Sequence, residues 1–240
     1  LPGLGLGVFA NGALVVGAGG EVLHEERLPE EAVRIVASLF RQGRWAGEGR
    51  GRISLLAATT VPDGAEERNK VVYFELAPEG PTWVTTLIGS AGEPPVVLMD
   101  DFASIVDRTI YKFVLFTSVG DEDWASMAPV VDALRSELAG TGVTVLACGE
   151  RQCEVLPPGV NKGTGVQALL RLSGDIPAEA LLACGDAEND LEMLRLAGVG
   201  AAMGNATAEA KEAADVVVAT NEEGGVAEAV RRFVFGESDV

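Results

Sequence analysis

Two short segments of this chain hold the residue types that do chemistry. In Ala180–Arg195, ALLACGDAENDLEMLR, an apolar run ends at Gly185, carboxylates follow at Asp186 and Asp190, and Asn189 stands beside the second. Ligands of open α/β sheets sit beyond the C-terminal ends of strands. Carboxylates gathered there, at the start of a helix, suit a hard cation such as Mg2+, which takes oxygen ligands. The plainer alternative is that Asp186 or Asn189 caps the helix that follows. One cap accounts for one residue and leaves the rest of G-D-x-x-N-D without a reason.

The second segment is Val155–Leu169, VLPPGVNKGTGVQAL. Lys162 stands between a turn and a helix, among Gly159, Gly163 and Gly165, which leave the backbone open to an approaching ligand. A cation is better placed at the C-terminal end of a helix, so a lysine at the start opposes the helix dipole. The placement becomes sensible when an anion is bound there, because lysine and helix N-terminus both attract it. A solvated lysine in a loop is the competing reading.

The elements that must position these residues alternate along the chain. Leu6–Phe9, Ala13–Val16 and Val22–Arg27 read as short strands around Gly-rich turns. Pro29 opens a helix whose Val33, Val36, Ala37 and Phe40 share one face. A Gly/Arg-rich loop, Gly43–Arg52, leads to the strand Ile53–Ala58, and Val71–Leu76, Val96–Met99 and Phe113–Phe116 are further strands. Trp124, Met127, Ala128, Val131, Leu134 and Leu138 trace a helical core stripe that stops at Gly140 and Gly142. From Val143 the pattern tightens: strands at Val143–Ala147, Gln152–Leu156, Ala180–Cys184, Val199–Met203 and Asp215–Val218 alternate with helices near Gly163–Leu172, Asp190–Leu196, Ala206–Ala214 and Val226–Phe233. Such alternation predicts βα units and a parallel sheet.

Composition narrows the function classes. The 240 residues are 48% apolar, enough for a buried core, and no apolar run reaches the roughly 18 residues of a membrane span. A formal net charge of −18 argues against nucleic acid, whose phosphate backbone needs clustered Lys and Arg. Three cysteines, Cys148, Cys153 and Cys184, match no zinc or disulfide spacing, which points to a reducing compartment, cytoplasmic or organellar. The single histidine, His24, reads as a surface residue and leaves no multi-histidine metal site or His-based triad.

Lys162, then a helix, then a strand ending in GDAEND, resemble the third and fourth motifs of the haloacid dehalogenase superfamily. The run GVGAAMGNATAEAKEAADVVVATNEEGGVAEAV is similar to the C-terminal stretch of its Cof-type phosphatases, which carry a large inserted α/β cap called C2B. Asn11–Gly12–Ala13 resembles the NGA through which such chains leave the core for the cap. The resemblance implies an α/β fold, a Rossmannoid core of parallel sheet and flanking helices with an inserted C2B-type cap. It would divide the chain into a core remnant at 1–15, a cap at 16–153 and the C-terminal half of the core at 154–240.

The same resemblance implies a phosphatase using Mg2+ on a small phosphorylated metabolite, sugar phosphates first. Lys162 would stabilise the nucleophile and the phosphoryl oxygens, Asp186 would ligate Mg2+, Asn189 would touch the phosphate or the metal shell, and Asp190 would orient Lys162. The family's nucleophile belongs to D-x-D-G-T after an apolar strand. No such motif occurs in the sequence, and the expectation is that it and the second motif precede Leu1. VVLMDD at Val96–Asp101 is a poor substitute, because Phe102 stands where the general acid belongs and no Gly-Thr follows. Asp100 or Asp101 is better read as a helix cap. A relative that binds Mg2+ and a phosphate ligand without hydrolysing it is the alternative function. A receiver-like domain fits less well, since its lysine should follow the acidic motif, whereas Lys162 precedes it.

Overall fold

Alternate residues of the strand Ile53–Thr60 enter different cores. Leu55 and Ala57 pack with one apolar cluster, Leu56 and Ala58 with another, as the period-two geometry of a strand covered on both faces requires. The computed structural model describes residues 6–42, 53–60, 71–76, 96–99, 105–117 and 126–237. It divides the chain into two compact units, Leu1–Val160 and Asn161–Val240.

The described elements of the first unit are β1 (Gly7–Phe9), β2 (Leu14–Val16), β3 (Val22–Glu25), α1 (Glu30–Arg41), β4 (Ile53–Thr60), β5 (Val71–Leu76), β6 (Val96–Met99), β7 (Lys112–Thr117), α2 (Ala128–Glu137), β8 (Thr144–Ala147) and β9 (Gln152–Leu156). Strands β4 to β9 form a six-stranded sheet in the order β6-β5-β4-β7-β9-β8, antiparallel except between β5 and β6. On one face, Leu55, Phe113, Leu115 and Val155 meet Val33, Val36, Val131 and Leu134 of α1 and α2. On the other, Leu56, Ala58 and Val114 meet Leu14 and Val16 of the small antiparallel sheet β1-β2-β3 and Ala13 just before β2. Helix α1 follows Pro29 and places Glu30 and Glu31 in its first turn, where the helix dipole favours negative charge. Val33, Val36 and Ala37 of the expected stripe are buried, with Phe40 partly so.

The second unit contains α3 (Lys162–Leu172), β10 (Leu182–Gly185), α4 (Leu191–Leu196), β11 (Val199–Ala202), α5 (Ala208–Ala213), β12 (Val216–Val217) and α6 (Gly225–Phe233). Its three strands run parallel in the order β10-β11-β12. Ala183, Leu194, Ala201, Ala202, Met203, Val218 and Ala229 form its core.

The parallel sheet expected from Val143 onward begins only at β10. β8 and β9 pair antiparallel and belong to the six-stranded sheet. The reason is the connection: a tight turn with Gly149 at φ 70° joins them, and a connection that short closes only an antiparallel pair. The expected boundary between 153 and 154 falls inside β9, whereas the compact units divide after Val160. Trp124, the loop Gly43–Arg52, and Asp100 and Asp101 lie outside the described residues. Among the described residues no helix is long and apolar enough to cross a membrane.

Candidate active site

The second unit assembles its polar residues around Asp190, which is 4% exposed. One carboxylate oxygen, Oδ2, accepts the backbone N–H groups of Asp186 and Ala187 at 3.0 and 3.2 Å. The other, Oδ1, lies 2.6 Å from Nζ of Lys162. A buried carboxylate is tolerated when each oxygen has a donor and one of them is cationic. Asp190 therefore ties the start of α3 to the turn after β10 by charge-assisted hydrogen bonds.

Local sequence explains why the partners meet. Asn161 caps α3: its Oδ1 accepts from the Thr164 backbone N–H at 2.9 Å, while the Thr164 hydroxyl oxygen accepts from the Asn161 backbone N–H at 3.0 Å. This reciprocal capping box fixes where the helix starts, and so makes Lys162 its first residue. Gly163 follows because α3 crosses α4 closely: a Cβ there would lie 2.9 Å from the carbonyl carbon of Glu192. The expected opening of the backbone to a ligand thus does not hold at Gly163, which is buried against a neighbouring helix. Gly159, at φ 70° with open space around it, keeps that character.

Gly185 ends β10 for a similar steric reason. A Cβ there would lie 2.5 Å from the Cβ of Asp190, so the strand end must be bare for the carboxylate to fold back over it. The strand end is also held by backbone, since Met203 N–H donates to the Gly185 carbonyl and Thr207 N–H to that of Asp186, both at 3.0 Å.

Asp186 and Asn189 do not cap the helix; Asp190 takes the turn's N–H groups instead. The Asp186 carboxylate makes no hydrogen bond or ion pair among the described residues, though both backbone groups of the residue are bonded. Asn189 is half-buried in the same turn. Lys162 keeps 32% of its side chain exposed despite its partner. Among the described residues no three His, Cys, Asp or Glu side chains converge to hold a metal ion. Mg2+ needs fewer, since it keeps several waters and binds through one or two carboxylates plus substrate phosphate oxygens. An anchored backbone presenting an unpartnered carboxylate fits that requirement, so Asp186 is the residue that would hold it.

The remaining candidates stand elsewhere. His24 lies on β3 in the first unit, with Nε2 3.9 Å from Glu26. All three cysteines are free. Burial pushes the Cys153 thiol up to about 12 and raises that of Cys184, which disfavours the thiolate in both.

Comparison with known proteins gives this geometry its context. The chain is 30% identical over 231 residues to the Arabidopsis thaliana protein named endoribonuclease YBEY, chloroplastic, covering 95% of this chain and 35% of that protein. It is 39% identical over 108 residues to 5-amino-6-(5-phospho-D-ribitylamino)uracil phosphatase YitU of Bacillus subtilis, covering 43% of this chain and 40% of the relative. The chain thus spans well under half the length of these curated relatives. Its fold matches the crystal structure of a haloacid dehalogenase-like hydrolase from Bacteroides thetaiotaomicron with a TM-score of 0.68 and 28% identity, over 92% of this chain and 74% of that one. That likeness brings with it the α/β architecture of a Rossmannoid core plus cap. The sequence model of the same family matches residues 91–230, a span that includes Lys162, GDAEND and the whole parallel sheet, and the chain belongs to the haloacid dehalogenase-like hydrolases.

Proposed function

We propose that this chain belongs to a Mg2+-dependent phosphomonoesterase acting on a small phosphorylated metabolite, a sugar phosphate in the first instance. The observation that carries the reading is the pair of unlike groups at one strand end. Lys162, with 32% of its side chain exposed, holds its ammonium 2.6 Å from Asp190, and the Asp186 carboxylate beyond β10 has no partner among the described residues.

Phosphoryl transfer asks the protein mainly to position groups and to meet charge on the equatorial oxygens. Lys162, its Nζ fixed by Asp190, meets an anionic phosphoryl oxygen and a nucleophilic carboxylate. Asn189 supplies an amide to the phosphate or to the metal's waters. Bound Mg2+ supplies charge neutralisation at the phosphate, with Asp186 as its protein ligand. The nucleophile in this reading is an aspartate on a strand that precedes Leu1, forming an aspartyl-phosphate that divides the hydrolysis into two easier steps. In support, β10 pairs only with β11 among the described residues, which leaves its other edge available to a further strand. We assign the parallel sheet of Asn161–Val240 to the core and the six-stranded sheet of the first unit to the cap. The Bacillus subtilis relative named for a phosphorylated ribityl compound supports the substrate class, and the free cysteines support a reducing compartment, cytoplasmic or organellar.

A non-catalytic protein that binds Mg2+ and a phosphate ligand is the second reading, because the described residues contain the binding groups and not the nucleophile. The Arabidopsis relative named as an endoribonuclease does not favour a nucleic acid ligand here, since a net charge of −18 repels a phosphate backbone. The deciding experiment is p-nitrophenyl phosphate hydrolysis by the protein extended upstream of Leu1, with and without Mg2+. Turnover only with Mg2+, lowered by about 10²-fold or more in Lys162→Ala and lost in Asp186→Ala, is the expected result. A folded extended protein inert toward this ester and a panel of sugar phosphates selects the binding reading.

A further inference from the structure

The first unit holds a second lysine–carboxylate pair that the proposed reaction does not use. Lys112 on β7 and Glu154 on β9 are 6% and 3% exposed, and Lys112 Nζ lies 2.9 Å from Glu154 Oε1. Both side chains point to the face of the six-stranded sheet covered by β1-β2-β3, because Glu154 is paired across from Val114 and Lys112 is two residues before it.

The third member is Asn11, 101 residues from Lys112 and 143 from Glu154. Its Oδ1 accepts from Lys112 Nζ at 3.1 Å, and its Nδ2 donates to Glu154 Oε2. Gln152 Nε2 adds a donor to Glu154 Oε1 at 3.3 Å. The three side chains close a ring of hydrogen bonds that needs both a donor and an acceptor at position 11, which the Asn11 amide supplies. Lysine has no acceptor and a carboxylate no donor, so only a group carrying both can bridge them.

Asn11 sits in an unusual piece of backbone. Ala10, Asn11 and Gly12 have φ values of 50°, 57° and 103°, so the reversal from β1 to β2 is made by consecutive left-handed residues. Asparagine and glycine tolerate that region, whereas alanine is strained in it. Strain persists only where its surroundings over-determine it. Burying an ion pair is itself a poor way to gain stability, and its best-attested use is to select one arrangement among several.

We propose that Asn11, Lys112 and Glu154 form a conformational latch, selecting the left-handed turn after β1 and so fixing the direction in which the chain enters β2. The Ala13 N–H, which donates to the Ala10 carbonyl at 3.2 Å, reports the closed turn, and its hydrogen exchange is the readout. The double variant Lys112→Met/Glu154→Leu removes both charges together. It should melt within a few degrees of the parent while Ala13 exchanges at least tenfold faster relative to the amides of β4. Asn11→Gly, which accepts the positive φ and leaves the ion pair intact, should give the same selective acceleration and carries the test if the double variant does not fold. Unchanged Ala13 protection in a folded variant overturns the latch, as does acceleration spread evenly over β4 and β7, which would make the cluster a general stabiliser.

Discussion

The two lysine–carboxylate pairs differ in what they leave over. In the first unit Lys112 and Glu154 have 8% and 4% of their side chains exposed, and Asn11 bonds to both. In the second, Asp190 is 5% exposed and bonded at both oxygens, but Lys162 keeps 32% of its side chain in solvent. An ammonium has three donors. Where burial and partners consume them the pair can only hold structure. Where the carboxylate is satisfied and a third of the lysine side chain stays in solvent, the pair leaves a charge that can meet a ligand, as the proposed reaction requires. Burial of the lysine, rather than the ion-pair distance, is what distinguishes the two pairs.

Replacing one partner at a time should break this contrast most strongly. Lys112→Met leaves Glu154 as a buried carboxylate without its cation and is expected to cost about 3–5 kcal/mol in urea unfolding. Lys162→Met should cost less, about 1–3 kcal/mol, because Asp190 keeps two backbone donors on Oδ2 and a third of the lysine side chain already lies in water. Equal losses would erase the distinction. Next in size is Gly185→Ala, whose methyl would lie 2.5 Å from the Asp190 Cβ. Overpacking of this kind costs about 1–3 kcal/mol, and by displacing Asp190 it should also reduce the rise in melting temperature produced by Mg2+. The smallest change in metal-free stability is expected for Asp186→Asn. Its carboxylate has no partner among the described residues, so unfolding in EDTA should shift by no more than about 0.5 kcal/mol, while the Mg2+-induced rise in melting temperature disappears. A large loss without metal would give Asp186 a structural role instead.

Much of the site was legible because its members are close in sequence or carry local signals. G-D-x-x-N-D after an apolar run placed Asp186 at a strand end and Asp190 in the turn beyond it. Hydrophobic spacing put a helix near Gly163–Leu172 with Lys162 just before it; the Asn161–Thr164 capping box, seen only in the structure, makes Lys162 its first residue. The ring of Asn11, Lys112 and Glu154 was not legible. A Lys and a Glu within apolar strands are odd singly, but nothing local says that they lie on one face of one sheet or that Asn11 reaches both. Gly163 was misread for a related reason: an open loop and a tight helix crossing both favour glycine, and only the neighbouring Glu192 tells them apart.

The sequence by itself determined most of the described strands and helices and set the acidic residues Asp186 and Asp190 in a turn at a strand end. Hydrophobic periodicity, capping and turn residues act over a few positions and compete with little else. Tertiary structure alone decided that β9 pairs with β7 and so joins β8 and β9 to the six-stranded sheet, that Gly185 must be bare to seat Asp190, and that one lysine is sealed while the other keeps a third of its side chain in solvent. Each of these depends on pairings and on exclusion of water by segments remote in the chain, and burial, which sets what a charge can do, is a property of the packed whole.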